Sequence, residues 1–393
     1  MKKTIEQIDV KGKRVLLRVD FNVPLDENGN ITDDTRIISA LPTIKYLLGH
    51  GARLIICSHL GRPNGEFNMK YSLLPVAKRL VDLLINKIYF GNDIIGPESK
   101  EKAKQLNAGE ILLLENIRFL SGEEKNDPEV AKELASMADV YVNDAFGTAH
   151  RKHASIVGVP KLLPNAVGYL MGKEVNTILS TLENPERPFV AILGGAKVSD
   201  KINVVMNLLK KVDTICIGGG MAYTFLKATG KNIGQSMVDD EKIELAQNIL
   251  SEAQKRNIKV LLPVDNLCAN VFSPTAKPIK VKGDIPEDLM GLDIGPKTIN
   301  LFVKNIKNAK TVIWNGPLGV FEFENFSKGT EKIAKAVAKN KGKSIVGGGD
   351  SIAAIHRLGK AKKITHISTG GGASLKMLEG EVLPGVEVID NID

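Results

Sequence analysis

Arginines recur in the first half of the chain close to short apolar runs. Arg62, Arg118 and Arg151 each follow such a run within a few residues, and Arg36 begins a helical pattern. The planar guanidinium fork holds phosphate or carboxylate oxygens with two hydrogen bonds at once. Several converging arginines would repel one another without an anion between them. The group therefore predicts a pocket for a small ligand that carries both phosphate and carboxylate.

Each arginine taken alone has a simpler interpretation as a surface or ion-paired side chain. The functional interpretation depends on the group, because ligands of open parallel sheets bind beyond the carboxyl ends of the strands. His59 and His150 lie in the same segments and could be bases or metal ligands. We expect them instead to donate hydrogen bonds to the same anion, and we assign no function to His153 or His356.

Adjacent glycines follow four apolar runs of the second half. They are Gly194-Gly195, Gly218-Gly219-Gly220, Gly347-Gly348-Gly349 and Gly370-Gly371-Gly372. Without a Cβ, backbone N–H groups can approach a phosphate or an adenine ring closely. Each turn is also expected to open a helix whose amino end favours negative charge. A single turn of this kind is most simply a flexible loop, whereas four at one sheet edge predict a nucleotide site.

Two lysines and one carboxylate accompany the glycine turns. Lys197 and Lys201 are four residues apart, so they would share a face if this segment were helical and could reach two neighbouring phosphates. Asp350 is the best candidate for a magnesium ligand, because hard oxygen ligands suit that ion. The sequence lacks the HRD, DFG and GxGxxG signatures, and Val337 stands where GxxxxGK[ST] needs its first glycine.

Short β-rich runs alternate with helical patterns, which is typical of crossover units and parallel sheets. The runs are apolar throughout, as expected for strands covered on both faces. In the first half we predict strands at 15–19, 54–58, 111–114 and 140–143, and helices at 34–48, 73–84 and 129–137. In the second half we predict strands at 189–193, 214–217, 260–263, 311–314, 344–346 and 366–368. Residues 270–291 are expected to be loops with one or two short strands.

The segment 169–186 joins the two halves. Its apolar residues recur at helical spacing up to Leu182, and Pro185 and Pro188 end the pattern. We therefore predict an α/β protein of two Rossmann-like, doubly wound lobes with parallel sheets, joined by this helix across a hinged cleft. The predicted lobes are residues 1–168 and 187–378.

Composition limits the class of protein. The 393 residues suggest two or three domains, and 43% hydrophobic with 25% charged residues is typical of a globular chain. No apolar run reaches the roughly 18 residues of a membrane span, and no signal peptide is evident. The cysteines are Cys57, Cys216 and Cys268, which lie far apart and form no CxxC pair, so we expect core residues of a reducing cytosol.

The net charge of +8 favours anionic partners. Nucleic-acid binders group Lys and Arg into one tract or helix face. The arginines of interest here fall singly instead, each near a Gly, Asp, Asn or His. We therefore expect small polyanions as partners, with neither nucleic acid nor membrane, and a cytoplasmic location.

Six segments together resemble the signature segments of phosphoglycerate kinases. They are RVDFNVP at 18–24, SHLGRP at 58–63, NDAFGTAHR at 143–151, LGGAKVSDK at 193–201, WNGPLGVFE at 314–322 and GGGDS at 347–351. The resemblance covers nearly the whole chain, in order. It implies reversible transfer of the acyl phosphate of 1,3-bisphosphoglycerate to Mg-ADP, giving 3-phosphoglycerate and ATP in glycolysis. It also implies a monomer and a final segment, 379–393, that returns to the first lobe.

The resemblance implies roles for individual positions. Those expected to bind 3-phosphoglycerate are Asp20, Phe21, Asn22, Arg36, His59, Leu60, Gly61, Arg62, Arg118 and Arg151. Those expected to bind the nucleotide are Gly194, Ala196, Lys197, Lys201, Gly218, Gly219, Gly291, Leu292, Asn315, Pro317, Glu322, Gly348, Gly349, Asp350 and Ser351. Glu322 is the expected ribose contact and Asp350 the expected Mg²⁺ ligand. The catalytic positions would be Arg36, Lys197, Gly348 and Gly371.

The implied reaction needs no general base, because its attacking oxygens are already anionic at neutral pH. We expect Arg36 and Lys197 to neutralise the moving phosphoryl group and hinge closure to exclude water. One rival is a dinucleotide-dependent dehydrogenase, which would need GxGxxG and an acidic residue about 20 positions later. Another is a non-catalytic binding module, which would need no matched lysine and arginine sites. The direction of the reaction in the cell and the preferred nucleoside stay open.

Overall fold

The computed structural model describes residues 2–392, and the chain divides into two compact units. One unit comprises Met1–Asn176 together with Val382–Asp393, and the other comprises Thr177–Glu381. No helix within residues 2–392 is both long enough and apolar enough to cross a membrane.

The first unit contains a parallel sheet between helices. Its strands are β1 Arg14–Arg18, β2 Arg53–Cys57, β3 Ile88–Phe90, β4 Ile111–Leu113, β5 Val140–Asn143 and β6 Asn165–Val167. Its helices are α1 Thr35–Gly49, α2 Leu74–Leu83, α3 Pro97–Gln105 and α4 Pro128–Ser136, and α5 Tyr169–Glu183 begins here and continues into the second unit. The strand order is β3-β4-β2-β1-β5-β6. The central strands β1 and β2 are buried beyond their first residue, as their apolar sequences predict.

The second unit contains two sheets. The strands of the larger sheet are β7 Phe189–Leu193, β8 Thr214–Ile217, β9 Lys259–Leu261, β13 Thr311–Asn315, β14 Lys343–Gly347 and β15 His366–Ile367. They pair in parallel in the order β15-β14-β13-β7-β8-β9. The smaller sheet is antiparallel, with β10 Asp265–Ala269 between β11 Ile279–Lys282 and β12 Met290–Ile294. The helices are α6 Ile202–Leu208, α7 Met221–Ala228, α8 Ile243–Lys255, α9 Pro296–Asn308, α10 Lys328–Lys339, α11 Gly349–Arg357 and α12 Gly372–Leu378.

The chain ends in the first unit. A short helix, α13 Pro384–Glu387, follows Val382. Asn143 Nδ2 donates to the carbonyl of Gly385 at 3.1 Å, and the Gly385 N–H donates to the carbonyl of Ala149 at 2.8 Å. Asp390 N donates to the side chain of Asn165 at 2.8 Å. These bonds join the final residues to the ends of β5 and β6.

The predicted fold class is confirmed: both larger sheets are parallel, with six strands each. The predicted central strands match the structure to within one or two residues, and the segment that joins the halves is the helix α5. Three elements of the first unit carry too little pattern to be recognised. Strands β3 and β6 have three residues each, and α3 buries only Ser99 and Ala103. In the second unit, β11 and the start of β12 fall within 270–291, as expected.

Candidate active site

The first candidate site lies at the carboxyl edge of the first sheet. After β1, the Asp20 carboxylate forms an ion pair with Arg36 in the first turn of α1, and it accepts the N–H of Asn22 at 3.2 Å. Gly147, after β5, packs so closely that a Cβ there would lie 2.3 Å from Asp20 Oδ2. The segments after β1 and β5 and the start of α1 therefore meet at Asp20.

The segment after β2 is held from two sides. Asn22 accepts the N–H of Gly61 at 2.9 Å, and Arg118 NH1 donates to the carbonyl of Gly61 at 2.7 Å. Asn116 Nδ2 donates to the carbonyl of Leu60 at 2.7 Å. Gly61 has a φ of +61°, and a Cβ would meet Tyr71 Cδ1 at 2.3 Å, so only glycine fits this turn.

His59 lies among the arginines that the sequence grouped together. It is only 3% exposed, and its Nδ1 is 3.3 Å from Arg18 NH2. Burial lowers the pKa of His59 well below its ordinary value, and the charges of Arg18, Arg118, Arg36 and Arg151 lower it further. Three of the four arginines grouped in the sequence, Arg36, Arg118 and Arg151, therefore act on one buried histidine.

Arg118 and Arg151 have donors available for a ligand. Burial lowers the pKa of Arg118 to about 10. Its Nε is 3.2 Å from Glu124 Oε1, and its NH2 has no hydrogen-bond partner within residues 2–392. The buried Nε of Arg151 likewise has no partner in that range. Guanidinium donors buried without partners are costly, so this edge is built to receive acceptor oxygens.

The other predicted residues of this edge differ in exposure. Arg62 is exposed, whereas the side chains of Phe21 and Leu60 are buried in the core. Phe21 and Leu60 can therefore reach a ligand only through their backbone groups.

The second candidate site lies at the carboxyl edge of the larger sheet of the second unit. The N–H groups of Gly195 and Gly219 donate to the carbonyls of Pro317 and Leu318, at 2.9 and 3.0 Å. A Cβ on Gly194 would meet the carbonyl oxygen of Pro317 at 2.0 Å. The glycines after β7 and β8 thus let two turns pack directly against the segment after β13.

Lys201 lies beneath these turns. Its ammonium donates to the carbonyls of Gly194 and Asn315, at 2.6 and 3.1 Å. Burial lowers the pKa of Lys201 to about 8, against the opposing effect of Asp350 and Asp200. Lys197 is exposed instead, and its ammonium has no partner within the described part of the chain.

Residues 197–201 do not form a helix, so Lys197 and Lys201 do not share a helix face. The helix α6 begins only at Ile202, with Lys201 as its N-cap. The turn after β7 therefore does not open a helix directly. The turns at 218–220, 347–349 and 370–372 do lead directly into α7, α11 and α12, as predicted.

A cavity of about 490 Å³ lies beside the glycine turns. Predicted residues that line it are Gly195, Ala196, Gly219, Gly291, Leu292, Pro317, Glu322 and Asp350. Tyr223, Met237, Phe272 and Met290 complete an apolar wall that the sequence did not reveal. Apolar walls with a few polar groups suit the flat base and the ribose of a nucleoside.

Asn315 connects the turns after β13 and β14. Its Nδ2 is buried without a partner among the described residues. A Cβ on Gly348, whose φ is +87°, would lie 3.4 Å from Asn315 Oδ1. Ser351 Oγ accepts the N–H of Gly316 at 2.7 Å. Gly371 also has a positive φ, of +47°. These turns present backbone N–H groups and one free amide at the same edge.

A larger surface depression, of about 780 Å³, lies elsewhere in the first unit. It is lined by the loop at 28–35 and part of α2. Its arginine, Arg79, is paired with Asp34 and Asp82. This depression has no converging free cations, so the two sheet edges are the better candidates.

Comparisons with known proteins point to one family. The phosphoglycerate kinase family model matches residues 5–381. A phosphoglycerate kinase of Koribacter versatilis (strain Ellin345) is 58% identical over 400 residues, covering 99% of each chain. That of Thermosipho africanus (strain TCF52B) is 54% identical over 395 residues, covering 99% of this chain and 98% of the relative.

The chain belongs to the phosphoglycerate kinase family. The solved structure of phosphoglycerate kinase from Coxiella burnetii has a TM-score of 0.90 and 41% identity, covering 99% of this chain and 98% of that one. The structure from Pyrococcus horikoshii OT3 has a TM-score of 0.83 and 34% identity, covering 98% of both. The chain is thus a phosphotransferase of glycolysis (EC 2.7.2.3), and a nucleotide and small phosphorylated molecules are its substrates.

This membership decides between the rival interpretations of the sequence: the dehydrogenase and the non-catalytic module both fall. Three buried polar residues near His59 were not predicted as part of the site. Arg18, Glu123 and Ser155 are fully buried next to this kinase's first candidate site. Sequence reasoning missed them because Arg18 lies inside a strand rather than after it. Glu123 lies in a turn and Ser155 in a single π-helical turn, Ala154–Gly158, and neither segment has a recognisable sequence pattern.

Proposed function

We propose that the first unit of this kinase binds 3-phosphoglycerate or 1,3-bisphosphoglycerate. The observation that carries the proposal is the convergence of Arg36, Arg118 and Arg151 around His59, with unpaired donors on Arg118 and Arg151. Paired guanidinium groups suit a ligand with a phosphate at one end and a carboxylate or acyl phosphate at the other. Asp20 and Asn22 orient this group by holding Arg36 and the turn at Gly61.

The second unit would bind the nucleotide. The nucleoside fits the cavity between Tyr223, Phe272 and Gly291, with Glu322 near the ribose. The phosphates would lie on the glycine turns, where Lys197 has a free ammonium and Gly348 to Ser351 begin α11. Backbone N–H groups at a helix start bind phosphate oxygens well.

Mg²⁺ would be held by Asp350 together with the nucleotide phosphates. No group of three or more His, Cys, Asp or Glu side chains suitable for a metal ion occurs within residues 2–392. A lone carboxylate fits Mg²⁺, which is usually bound by one or two carboxylates plus substrate phosphates. Burial and the charge of nearby Glu322 raise the pKa of Asp350, and a bound cation would favour its ionised form. When bound, the ion would neutralise charge on the phosphate oxygens.

We propose that the transfer needs no general base. The attacking oxygen belongs to a diphosphate or a carboxylate, and both are already anionic at neutral pH. His59 is the histidine best placed to act as a general base, but its lowered pKa makes it a weak proton acceptor. Catalysis then consists of alignment and of neutralising the charge on the moving phosphoryl group.

Arg36 and Lys197 would supply that charge, together with the backbone N–H groups at Gly348 and Gly371. Arg36 is part-exposed at the start of α1, and Lys197 is exposed on the loop after β7. Because the two residues belong to different units, a hinge closure must bring them to one phosphoryl group. Closure would also exclude the water that hydrolyses an acyl phosphate.

The experiment is a coupled assay with ATP and 3-phosphoglycerate on the Arg36→Ala and Lys197→Ala variants. We expect kcat to fall by about two or more orders of magnitude in each, since each acts mainly in the transition state. An unchanged kcat with a raised KM would show that the residue only binds substrate. The Lys210→Ala variant, just after α6, is the matched control for the loss of one exposed lysine.

The monomeric state and the cytoplasmic location remain proposals. The cytoplasmic location rests on the three buried, unpaired cysteines, which suit a reducing compartment, and on the family resemblance. The monomeric state rests on the family resemblance alone. Light scattering coupled to gel filtration would test the first: a mass near 42.6 kDa supports a monomer, and a multiple of it contradicts one.

A further inference from the structure

The imidazole ring of His59 contacts the guanidinium group of Arg18, which can donate hydrogen bonds but cannot accept them. Its Nδ1 lies 3.3 Å from Arg18 NH2, and both side chains are buried. A guanidinium group has five N–H donors and no acceptor, and it stays charged in proteins. A hydrogen bond between them therefore requires a bare lone pair on Nδ1. A neutral imidazole that accepts at Nδ1 carries its proton on Nε2.

Arg18 is itself fixed by a buried chain of hydrogen bonds. Its Nε donates to Ser155 Oγ at 2.9 Å, and its NH1 donates to the carbonyl of Val19. Ser155 donates in turn from Oγ and from its backbone N–H to the Glu123 carboxylate, at 2.6 and 2.9 Å. The side chains of Arg18, Ser155 and Glu123 are all fully buried. Ser155 thus links Glu123 to Arg18 and sets the direction of the guanidinium fork.

We infer that Glu123, Ser155 and Arg18 are positioning residues that hold His59 as the neutral Nε2–H tautomer, so that Nε2 donates to an anionic oxygen of phosphoglycerate. Nε2 has no partner within residues 2–392, so its N–H is available for such an oxygen. The choice of ligand rests on the proposed function, whereas the tautomer rests on the contacts of His59 alone.

The competing arrangement is an imidazolium paired with Asp20. Asp20 Oδ1 is 3.9 Å from His59 Nδ1, which is too far for a hydrogen bond. The same carboxylate is already engaged by Arg36 and by the N–H of Asn22. The charged groups acting on His59 are otherwise cationic: Arg18, Arg36, Arg118 and Arg151. A second proton on the ring would face the Arg18 guanidinium, so the neutral ring is favoured.

Nitrogen-15 NMR of the full chain with labelled histidines tests the tautomer directly. The chain has six histidines, and the His59→Gln variant identifies the His59 signals by their loss. We expect an unprotonated Nδ1 and a protonated Nε2 whose shifts stay constant between about pH 5.5 and about pH 8, a range in which an unperturbed histidine titrates. A proton on Nδ1, or a titration midpoint inside that range, would overturn the inference.

The Ser155→Ala variant tests the positioning chain. It removes the hydroxyl between Arg18 and Glu123, so we expect the His59 signals to show mixed tautomers and the KM for phosphoglycerate to rise more than kcat falls. The matched control is Ser99→Ala, which removes another fully buried hydroxyl of the same unit, bonded to the carbonyl of Asp93 at 2.8 Å. Wild-type His59 shifts in Ser155→Ala would show that the chain does not fix the ring.

Substitutions of His59 test the donor. The Gln amide can place an N–H near the position of Nε2, so His59→Gln should keep phosphoglycerate affinity within a few-fold, while His59→Leu should lose about ten- to a hundredfold. Equal losses in both variants would contradict the donor role. If the wild-type protein failed to bind phosphoglycerate at all, the proposed function would fall while the NMR result for the tautomer still stood.

Discussion

Nucleotide binding should weaken about tenfold between about pH 7 and about pH 9, because Lys201 loses its proton in this range. Burial lowers the pKa of its ammonium to about 8. Roughly nine-tenths of Lys201 is then charged at about pH 7 and roughly one-tenth at about pH 9. If only the charged form binds phosphate, the apparent Kd rises by about the ratio of those fractions.

The nucleotide itself changes charge only slightly in this range, and in the opposite sense. The second pKa of a phosphate monoester is about 6, so its terminal phosphate is about nine-tenths ionised at about pH 7 and becomes more anionic above it. The pH dependence therefore reports on the protein. Lys201 is a suitable source because its ammonium lies under the turns at Gly194 and Asn315, at 2.6 and 3.1 Å from their carbonyl oxygens.

Isothermal titration calorimetry with ADP at several pH values measures the effect. The Lys201→Met variant should bind ADP more weakly and with no pH dependence, and the control Lys210→Met, an exposed lysine of the same unit, should behave as wild type. A wild-type affinity that is constant across the range would refute the role of Lys201. A pH dependence that survives in Lys201→Met would assign it to another group.

Three further perturbations follow from single contacts. Arg151→Ala should weaken phosphoglycerate binding about ten- to a hundredfold and leave ADP binding unchanged in calorimetry, since its charge acts on His59 in the first candidate site. Gly291→Ala places a Cβ 2.1 Å from the Tyr223 hydroxyl, so the KM for ADP should rise, whereas Gly49→Ala, with nothing within 4 Å, should not change it. Burial raises the pKa of Asp144 from 3.8 to about 6. A carboxyl group whose pKa is higher in the folded than in the unfolded state stabilises the fold while it is protonated. This contribution is complete below the pKa of the unfolded state and is lost as the pH rises through the pKa of the folded state. The unfolding free energy of wild type relative to Asp144→Asn should therefore fall by about 2 kcal/mol between about pH 4 and about pH 7.

The strands whose carboxyl ends form the two candidate sites could be predicted from the sequence, because they are apolar throughout and are followed by distinctive residues. The central strand of the antiparallel sheet in the second unit could not. This strand, β10, reads DNLCA, and its buried Asp265 and Asn266 hide the strand among polar residues. Asp265 is buried because its carboxylate accepts the N–H groups of Lys297 and Thr298 at the start of α9. That pairing depends on tertiary contacts.

The glycine turns and arginines of the two candidate sites were more predictable than the residues around them. Adjacent glycines and single arginines after strands are visible in the sequence, whereas the wall formed by Tyr223 and Phe272 is distant along the chain. Arg18 illustrates the same limit. An arginine inside a buried strand has no sequence signal of function, and its role emerges only when Ser155 and Glu123 are found beside it.

The most direct test of the account is the distance between the two units during turnover. The native cysteines are all buried, so dyes can be attached selectively to the double variant Lys78→Cys, Lys280→Cys, which places one exposed cysteine on each unit. We predict that fluorescence energy transfer changes most when phosphoglycerate and nucleotide are bound together, because both anions are needed to draw Arg36 and Lys197 to one phosphoryl group. Full turnover with a distance that stays constant in the presence of both substrates would contradict transfer by hinge closure.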